Sequence, residues 1–185
     1  FARNDATLDD INSYMCRRRS GKIMWRESPC DVDLVVPVPD SGYPSAIGYS
    51  QESGIPLAEG LVKNRYMGRT FIKPTQEERE IAVKLKLNPL SHVVKDKRIV
   101  LIDDSIVRGT TSRNLIQNLR NAGAKEIHMR ITAPPVKYSC YYGIDTPSRK
   151  NLIAASMSIE EIKELIGADS LAFISIEGMT EAARI

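Results

Sequence analysis

Apolar residues in this chain fall into short continuous runs, with amphipathic stretches between them. The run "VDLVVPVPDSG" (32–42) predicts a buried strand: Val35, Val36 and Val38 favour extended backbone, Pro37 and Pro39 stop it, and Asp-Ser-Gly reverses the chain. "RIVLID" (98–103) is apolar without alternation, which predicts a strand covered on both faces, as in a parallel sheet. "EIHMRITA" (126–133) and "LAFISI" (171–176) predict two further strands, and "PLAEGLVKN" (56–64) a short one. Helices are expected over 9–19, with Ile11, Met15 and Cys16 on one side, and over 43–54, closed by Gly54. A third is expected over 111–121, with Leu115, Ile116 and Leu119 inward and Gly123 at its end. Ser158 and Glu161 form a capping box for a helix that stops at Gly167. Strands alternating with helices predict an α/β fold with a mostly parallel sheet flanked by helices.

Residues 65–96 break this pattern. They are highly charged and weakly periodic, with one helix expected over 75–87. Such a segment is either a surface loop carrying a helix or a flap that moves over a site.

Composition narrows the picture only a little. The 185 residues suit one domain with a full core. A net charge of +3, from 26 basic and 23 acidic residues, is too balanced to argue for nucleic acid or a membrane surface. Three cysteines (Cys16, Cys30, Cys140), an odd count with no CxxC pair, point to a reducing cytoplasm. No apolar run approaches membrane-spanning length and no signal peptide is visible.

The chemistry concentrates at 98–114, "RIVLIDDSIVRGTTSRN". A buried strand ends on Asp103 and Asp104, and Gly109, Thr110, Thr111 and Ser112 lead into a helix. Adjacent strand residues point to opposite faces, so two carboxylates can serve one ligand only if the backbone leaves the strand there. Successive amides at a helix start attract phosphate, and hydroxyls add donors. Carboxylates prefer sugar hydroxyls or a divalent cation. A ribose 5-phosphate satisfies both halves. No Gly-Lys-Ser/Thr follows, which excludes a Walker A loop.

"VLIDDSIVRGTTS" resembles the phosphoribosyl pyrophosphate (PRPP) motif of type I phosphoribosyltransferases. Together with "KNRYMGRTF", "KLKLNPL", "YYGIDTPSRKNLIA" and "IGADSLAFISIEGM", it resembles the glutamine PRPP amidotransferase (amidophosphoribosyltransferase) family over nearly the whole chain. The resemblance implies the type I phosphoribosyltransferase fold with a flexible loop. It implies a transferase that makes 5-phosphoribosylamine, glutamate and pyrophosphate from PRPP, glutamine and water, the first committed step of purine synthesis. Residues 1–185 then form its phosphoribosyltransferase domain. The glutaminase half is expected to precede Phe1 in the parent protein; residues 1–185 taken alone are expected to use at most free ammonia.

By the same resemblance Asp103 and Asp104 hold the ribose hydroxyls and Mg²⁺. Ser105, Val107, Arg108, Gly109, Thr110, Thr111 and Ser112 belong to the 5-phosphate loop. Asp40, Ser41 and Gly42 match the pyrophosphate loop. Many relatives carry a serine at the position of Gly42, where it contributes to Mg²⁺ binding; here Ser41 or a water takes that place. Residues 65–87 resemble the PRPP loop that closes over substrate, with Arg69 and Lys86 near the pyrophosphate. Cys140 matches a 4Fe–4S ligand position, but a cluster needs four thiolates, so it belongs to a full-length parent only. Purine nucleotides are implied as inhibitors, and a homo-oligomer for the full-length enzyme. His92, His128 and Trp25 are read as packing or surface residues. Two alternatives stand beside this: a type I phosphoribosyltransferase acting on a nucleobase, and a non-catalytic PRPP- or nucleotide-binding regulator.

Overall fold

The computed structural model describes residues 3–63, 87–141, 146 and 148–184. Four of the apolar runs pair side by side: β3 (Leu34–Pro37), β6 (Arg98–Asp103), β7 (Glu126–Ile131) and β8 (Ser170–Phe173), in that order and all parallel. Val36, Leu101, Met129 and Leu171 lie abreast in this register. Period-two alternation then divides the strands between two cores. Val36, Ile99, Leu101, Ile127, Met129 and Ile131 face one, with Leu115, Ile116 and Leu119 of α4 (Thr110–Asn121) and Ile162 and Ile166 of α5 (Ile159–Ile166). Val35, Val100 and Ile102 face the other, with Ile23 and Met24 of α1 (Ser13–Glu27), Ala46 and Tyr49 of α2 (Tyr43–Ser53) and Ala182 of α6 (Ile176–Ala183). Both faces are covered, which is why the central strands read as uninterrupted apolar runs. Each fully buried aliphatic side chain contributes about 1.5–3 kcal/mol.

Smaller elements frame one edge. β4 (Leu61–Lys63) pairs antiparallel with β5 (Leu87–Pro89), and the short α3 (Ser91–Val94) follows. The helix expected over 75–87 lies outside the described residues except for Leu87, which begins β5. Near the start, β1 (Thr7–Leu8) and β2 (Ile11–Asn12) form a minimal hairpin. Among the described residues no helix is long and apolar enough to cross a membrane.

Two boundaries differ from expectation. The first helix runs Ser13–Glu27 rather than 9–19: Asn12 Oδ1 accepts from the Met15 amide and caps it, and Gly21 lies inside it. The last strand stops at Phe173, because Ser175 caps α6 by accepting from the Gly178 amide. The capping box at Ser158 and Glu161 forms as expected, and Gly54 and Gly167 close their helices in the left-handed region.

Gly21 and Gly48 are required by the contact between α1 and α2. A Cβ on Gly21 would lie 1.8 Å from the Ser45 carbonyl oxygen, and one on Gly48 would lie 1.9 Å from that of Arg18. Alanine normally favours a helix over glycine by about 1 kcal/mol. Here the obstacle is backbone of the neighbouring helix, and overpacking costs more than that gain. Gly48→Ala is therefore expected to destabilise the fold by about 3 kcal/mol. Chemical denaturation measures this, and a stabilised variant would contradict the packing described.

Candidate active site

β6 ends at Asp103, and the chain bends at Asp104. The bend is held locally: the Asp104 amide donates to Asp103 Oδ1 at 2.8 Å, and the Ser105 hydroxyl donates to Asp104 Oδ1 at 3.2 Å. This departure from the strand brings both carboxyl-bearing residues to one cavity, which the sequence reading required. Behind them, Thr132 donates its amide to the Asp103 carbonyl at 3.0 Å.

The following loop is anchored from below. Ile106 is buried, and the Val107 carbonyl accepts from the Ile153 amide at 2.9 Å. Gly109 then opens α4 with φ 76°, where a side chain would be strained and its Cβ would lie 2.8 Å from Ile153 Cδ1. The first helical bond runs from the Arg113 amide to the Gly109 carbonyl. Among the described residues, the amides from Ser105 to Ser112 donate to no protein group. Eight consecutive donors at a helix start form an anion cradle.

The cavity over this loop has a volume of about 480 Å³. Its walls are Asp103, Asp104, the loop from Ser105 to Gly109, and Thr111 and Ser112 on one side; Val38, Pro39, Leu87 and Thr146 complete it. Burial, and then the negative charge of Asp104, push the Asp103 carboxyl up to about 8. A cation or hydroxyl donors placed against it would favour its charged form.

Asp104 also borders a second opening of about 440 Å³, walled by Asp40, Ser41, Arg3, Asn4, Asp5 and Arg17. Here the turn after β3 comes forward, with a cis peptide between Pro39 and Asp40. Asp40 accepts from Lys63 Nζ at 2.6 Å. Gly42 is buried and lines neither opening. A Cβ there would lie 2.4 Å from the Ile102 carbonyl and 2.7 Å from that of Val38, both backbone. Glycine at 42 thus lets the turn pack against the end of β6, and Ser41 is the turn's hydroxyl at the site.

Of the residues singled out from sequence, the structure brings Asp103, Asp104, Ser105, Val107, Arg108, Gly109, Thr111 and Ser112 around the first cavity, and Asp40 and Ser41 around the adjoining one. Thr110 is exposed at the first turn of α4 and lines neither. Arg69 and Lys86 lie outside the described residues. Cys140 is half-buried, and its amide donates to Thr146 Oγ1 at 2.7 Å, next to the cavity. Cys16 lies in α1, and Cys30 contacts the hydroxyl of Tyr49 at 3.3 Å. His128 bonds Ser170 Oγ at 2.9 Å, and Trp25 stacks edge-on against Tyr49; both serve packing. Sequence reasoning missed Leu87, Thr146 and the basic group Arg3 and Arg17. Arg17 sits in the run "CRRRSGK", where nothing in the spacing separates it from its neighbours.

Comparison with known proteins gives the same picture. The model of the "Phosphoribosyl transferase domain" family matches residues 8–147. The amidophosphoribosyltransferase of Methanothermobacter thermautotrophicus is 59% identical over 185 residues, which is 100% of this chain and 39% of that protein. The solved "structure of the allosteric regulatory enzyme of purine biosynthesis" aligns with a TM-score of 0.91 at 49% identity, covering 100% of this chain and 40% of that one. A glutamine PRPP amidotransferase from Bacillus subtilis, solved with ADP and GMP, aligns at 0.90 and 50% identity, covering 99% and 40%. The chain thus spans about two-fifths of the length of these relatives.

Proposed function

We propose, from the premise that this chain belongs to the phosphoribosyl transferase domain family, that it is the phosphoribosyltransferase part of an amidophosphoribosyltransferase. It takes PRPP and replaces the diphosphate on C1 with ammonia, giving 5-phosphoribosylamine and pyrophosphate. In the complete enzyme the ammonia comes from glutamine, released at a glutaminase site on a separate domain. The observation that carries the reading is the run of uncommitted amides, Ser105 to Ser112, in one cavity with Asp103 and Asp104. Paired acids for hydroxyls next to a bare amide cradle for phosphate describe the two ends of a ribose 5-phosphate.

The residues divide the work. The amides hold the 5-phosphate and fix the sugar's position. Asp103 and Asp104 accept from its hydroxyls. The diphosphate extends toward the turn at Asp40 and Ser41, on the far side of Asp104. As the bond from C1 to the diphosphate oxygen breaks, positive charge grows on the ring, and the Asp104 carboxylate, which borders both openings, is the group proposed to stabilise it. Attack by the ammonia lone pair completes the exchange without a protein nucleophile. The oxygen donors here, two carboxylates and the Ser41 hydroxyl, suit magnesium, which keeps part of its shell for substrate phosphates. When bound, the ion neutralises charge on the departing diphosphate. Arg69 and Lys86 are proposed to meet that diphosphate as well. Purine nucleotides, which carry the same ribose 5-phosphate, are proposed to compete for the cradle; the Bacillus subtilis relative was solved with two of them. A homo-oligomeric, cytoplasmic parent enzyme completes the proposal.

The test is to incubate the chain with PRPP, Mg²⁺ and high ammonia and follow pyrophosphate. Release that depends on ammonia is expected. Release that depends instead on a nucleobase would assign another phosphoribosyltransferase reaction, and binding without turnover would make the chain a regulator.

A further inference from the structure

We infer that Ser45 and Thr132 form a buried positioning pair for Asp103 and Asp104: a chain of two hydroxyls that ties the first turn of α2 to the peptide joining the two acids. The inference rests on the proposed use of PRPP and adds two residues that line neither opening.

Thr132 follows the last residue of β7, and its hydroxyl donates to the Asp103 carbonyl at 3.3 Å, beside the bond from its own amide to the same oxygen. A hydroxyl carries one proton, so in the 3.2 Å contact with Ser45 Oγ the Thr132 oxygen accepts and Ser45 donates. The order is therefore fixed, from Ser45 to Thr132 to Asp103. Both side chains are buried, Ser45 at 1% exposure and Thr132 at 6%. α2 otherwise meets the sheet through apolar residues, with Ala46 and Tyr49 in one core with Val35, Val100 and Ile102. An apolar pair would fill this place with no polar group to satisfy, and a hydroxyl pair in the interior contributes little net stability. What the hydroxyls add is direction.

The Asp103 carbonyl is the lever. It shares a rigid plane with the Asp104 amide, and in a trans peptide the two point opposite ways. Two donors from Thr132 hold the oxygen, so the amide is aimed the other way, at Asp103 Oδ1, which it meets at 2.8 Å. The same plane sets where Asp104 leaves β6, and the Ser105 hydroxyl then donates to Asp104 Oδ1. Fixing one oxygen therefore orients both carboxyls. Ser45 lies three residues beyond Gly42, in the first turn of the helix that follows the Asp40–Ser41 turn, and its carbonyl packs against Gly21 of α1. The hydroxyl pair thus links that turn to the acids, the two places where the proposed substrate is held beyond its 5-phosphate.

Ammonia-dependent pyrophosphate release, urea denaturation and the Asp104 amide chemical shift, measured on the wild-type chain, S45A/T132V, S45A and T132S, test this. The double variant removes both hydroxyls at nearly unchanged shape and orphans no partner, since the backbone amide at 132 still holds the Asp103 carbonyl. Such a paired replacement is close to neutral for stability. Its kcat/KM for PRPP is expected to fall about tenfold, the cost of a small misplacement of groups that position substrate, and its Asp104 amide resonance to move. T132S keeps the hydroxyl and loses a buried methyl, so it should denature at lower urea yet retain most of the activity. S45A should show a smaller loss of activity than the double variant, and it reads out the pair if the double variant folds poorly. Activity that follows stability instead, with T132S the more impaired, would make the pair structural and overturn the inference, as would wild-type kcat/KM in both S45A and the double variant. If the wild-type chain releases no pyrophosphate, the proposed reaction falls and the Asp104 amide decides the pair alone: a resonance unmoved in the double variant overturns it.

Discussion

Asp104→Asn is expected to lower kcat/KM for PRPP by about two to three orders of magnitude, the range for removing one preorganised electrostatic stabiliser, and to leave the melting temperature nearly unchanged. The asymmetry follows from where the residue sits. Asp104 lies beyond the end of β6, outside both apolar cores, so no packing is lost. Asparagine keeps an oxygen to accept from the Ser105 hydroxyl, so the local turn survives. What disappears is the negative charge between the two openings, where the sugar hydroxyls and the cation are proposed to meet. The Mg²⁺ concentration needed for half-maximal rate should rise in parallel. Steady-state pyrophosphate release across a Mg²⁺ series measures both effects; wild-type kinetics would remove Asp104 from the site.

Asp103→Asn is expected to cost activity as well, but to make the free protein more stable at alkaline pH. The carboxyl of Asp103 is raised to about 8, chiefly by burial and then by Asp104. In the unfolded chain it ionises near its ordinary value of about 3.9. Between about pH 4 and about pH 8 the unfolded state has lost a proton that the folded state keeps, so stability falls as pH rises through that window. Above it both states are ionised and the penalty is constant. Asparagine retains the acceptor for the Asp104 amide and carries no charge to bury. At pH 8 the variant should gain on the order of 5 kcal/mol, with the gain shrinking toward zero near pH 4. Urea denaturation at a series of pH values reads this directly. A variant equally destabilised at every pH would mean that the side chain is needed for packing. The same raised carboxyl has a binding signature. If PRPP and its cation require the ionised form, binding between pH 6 and 7.5 releases close to one proton. Titration calorimetry in buffers of different ionisation enthalpy counts it.

The sequence revealed the sheet because β3, β6 and β7 are buried on both faces and so leave continuous apolar runs, and because Gly54, Gly167 and the Ser158–Glu161 box are local signals that act within a turn of the helix they bound. It misled where one residue served a distant neighbour. The first helix runs on past residue 19 through Gly21, which lies inside it because α2 passes against it. Ile174 and Ile176 extend the alternation of the last strand, but Ser175 caps a helix between them, and the Ile174 side chain is buried while Ile176 is exposed. The hairpin at 7–12 is two residues on each strand, too short for any periodicity. The site divides the same way. Acids, glycine and hydroxyls at 103–112 are contiguous, so their order in the chain was itself the evidence. Arg3 and Arg17 border the second opening from the first residues and from α1, far in sequence from 103–112, and no local pattern encodes that meeting.

Amide chemical shifts recorded while ribose 5-phosphate is added to the chain test the phosphate cradle most directly. The expected result is that the largest changes, and new protection from solvent exchange, fall on the backbone amides of residues 105–112, with the Asp103 and Asp104 signals moving at the same ligand concentration. Binding that leaves those amides untouched while perturbing another face of the sheet would contradict it.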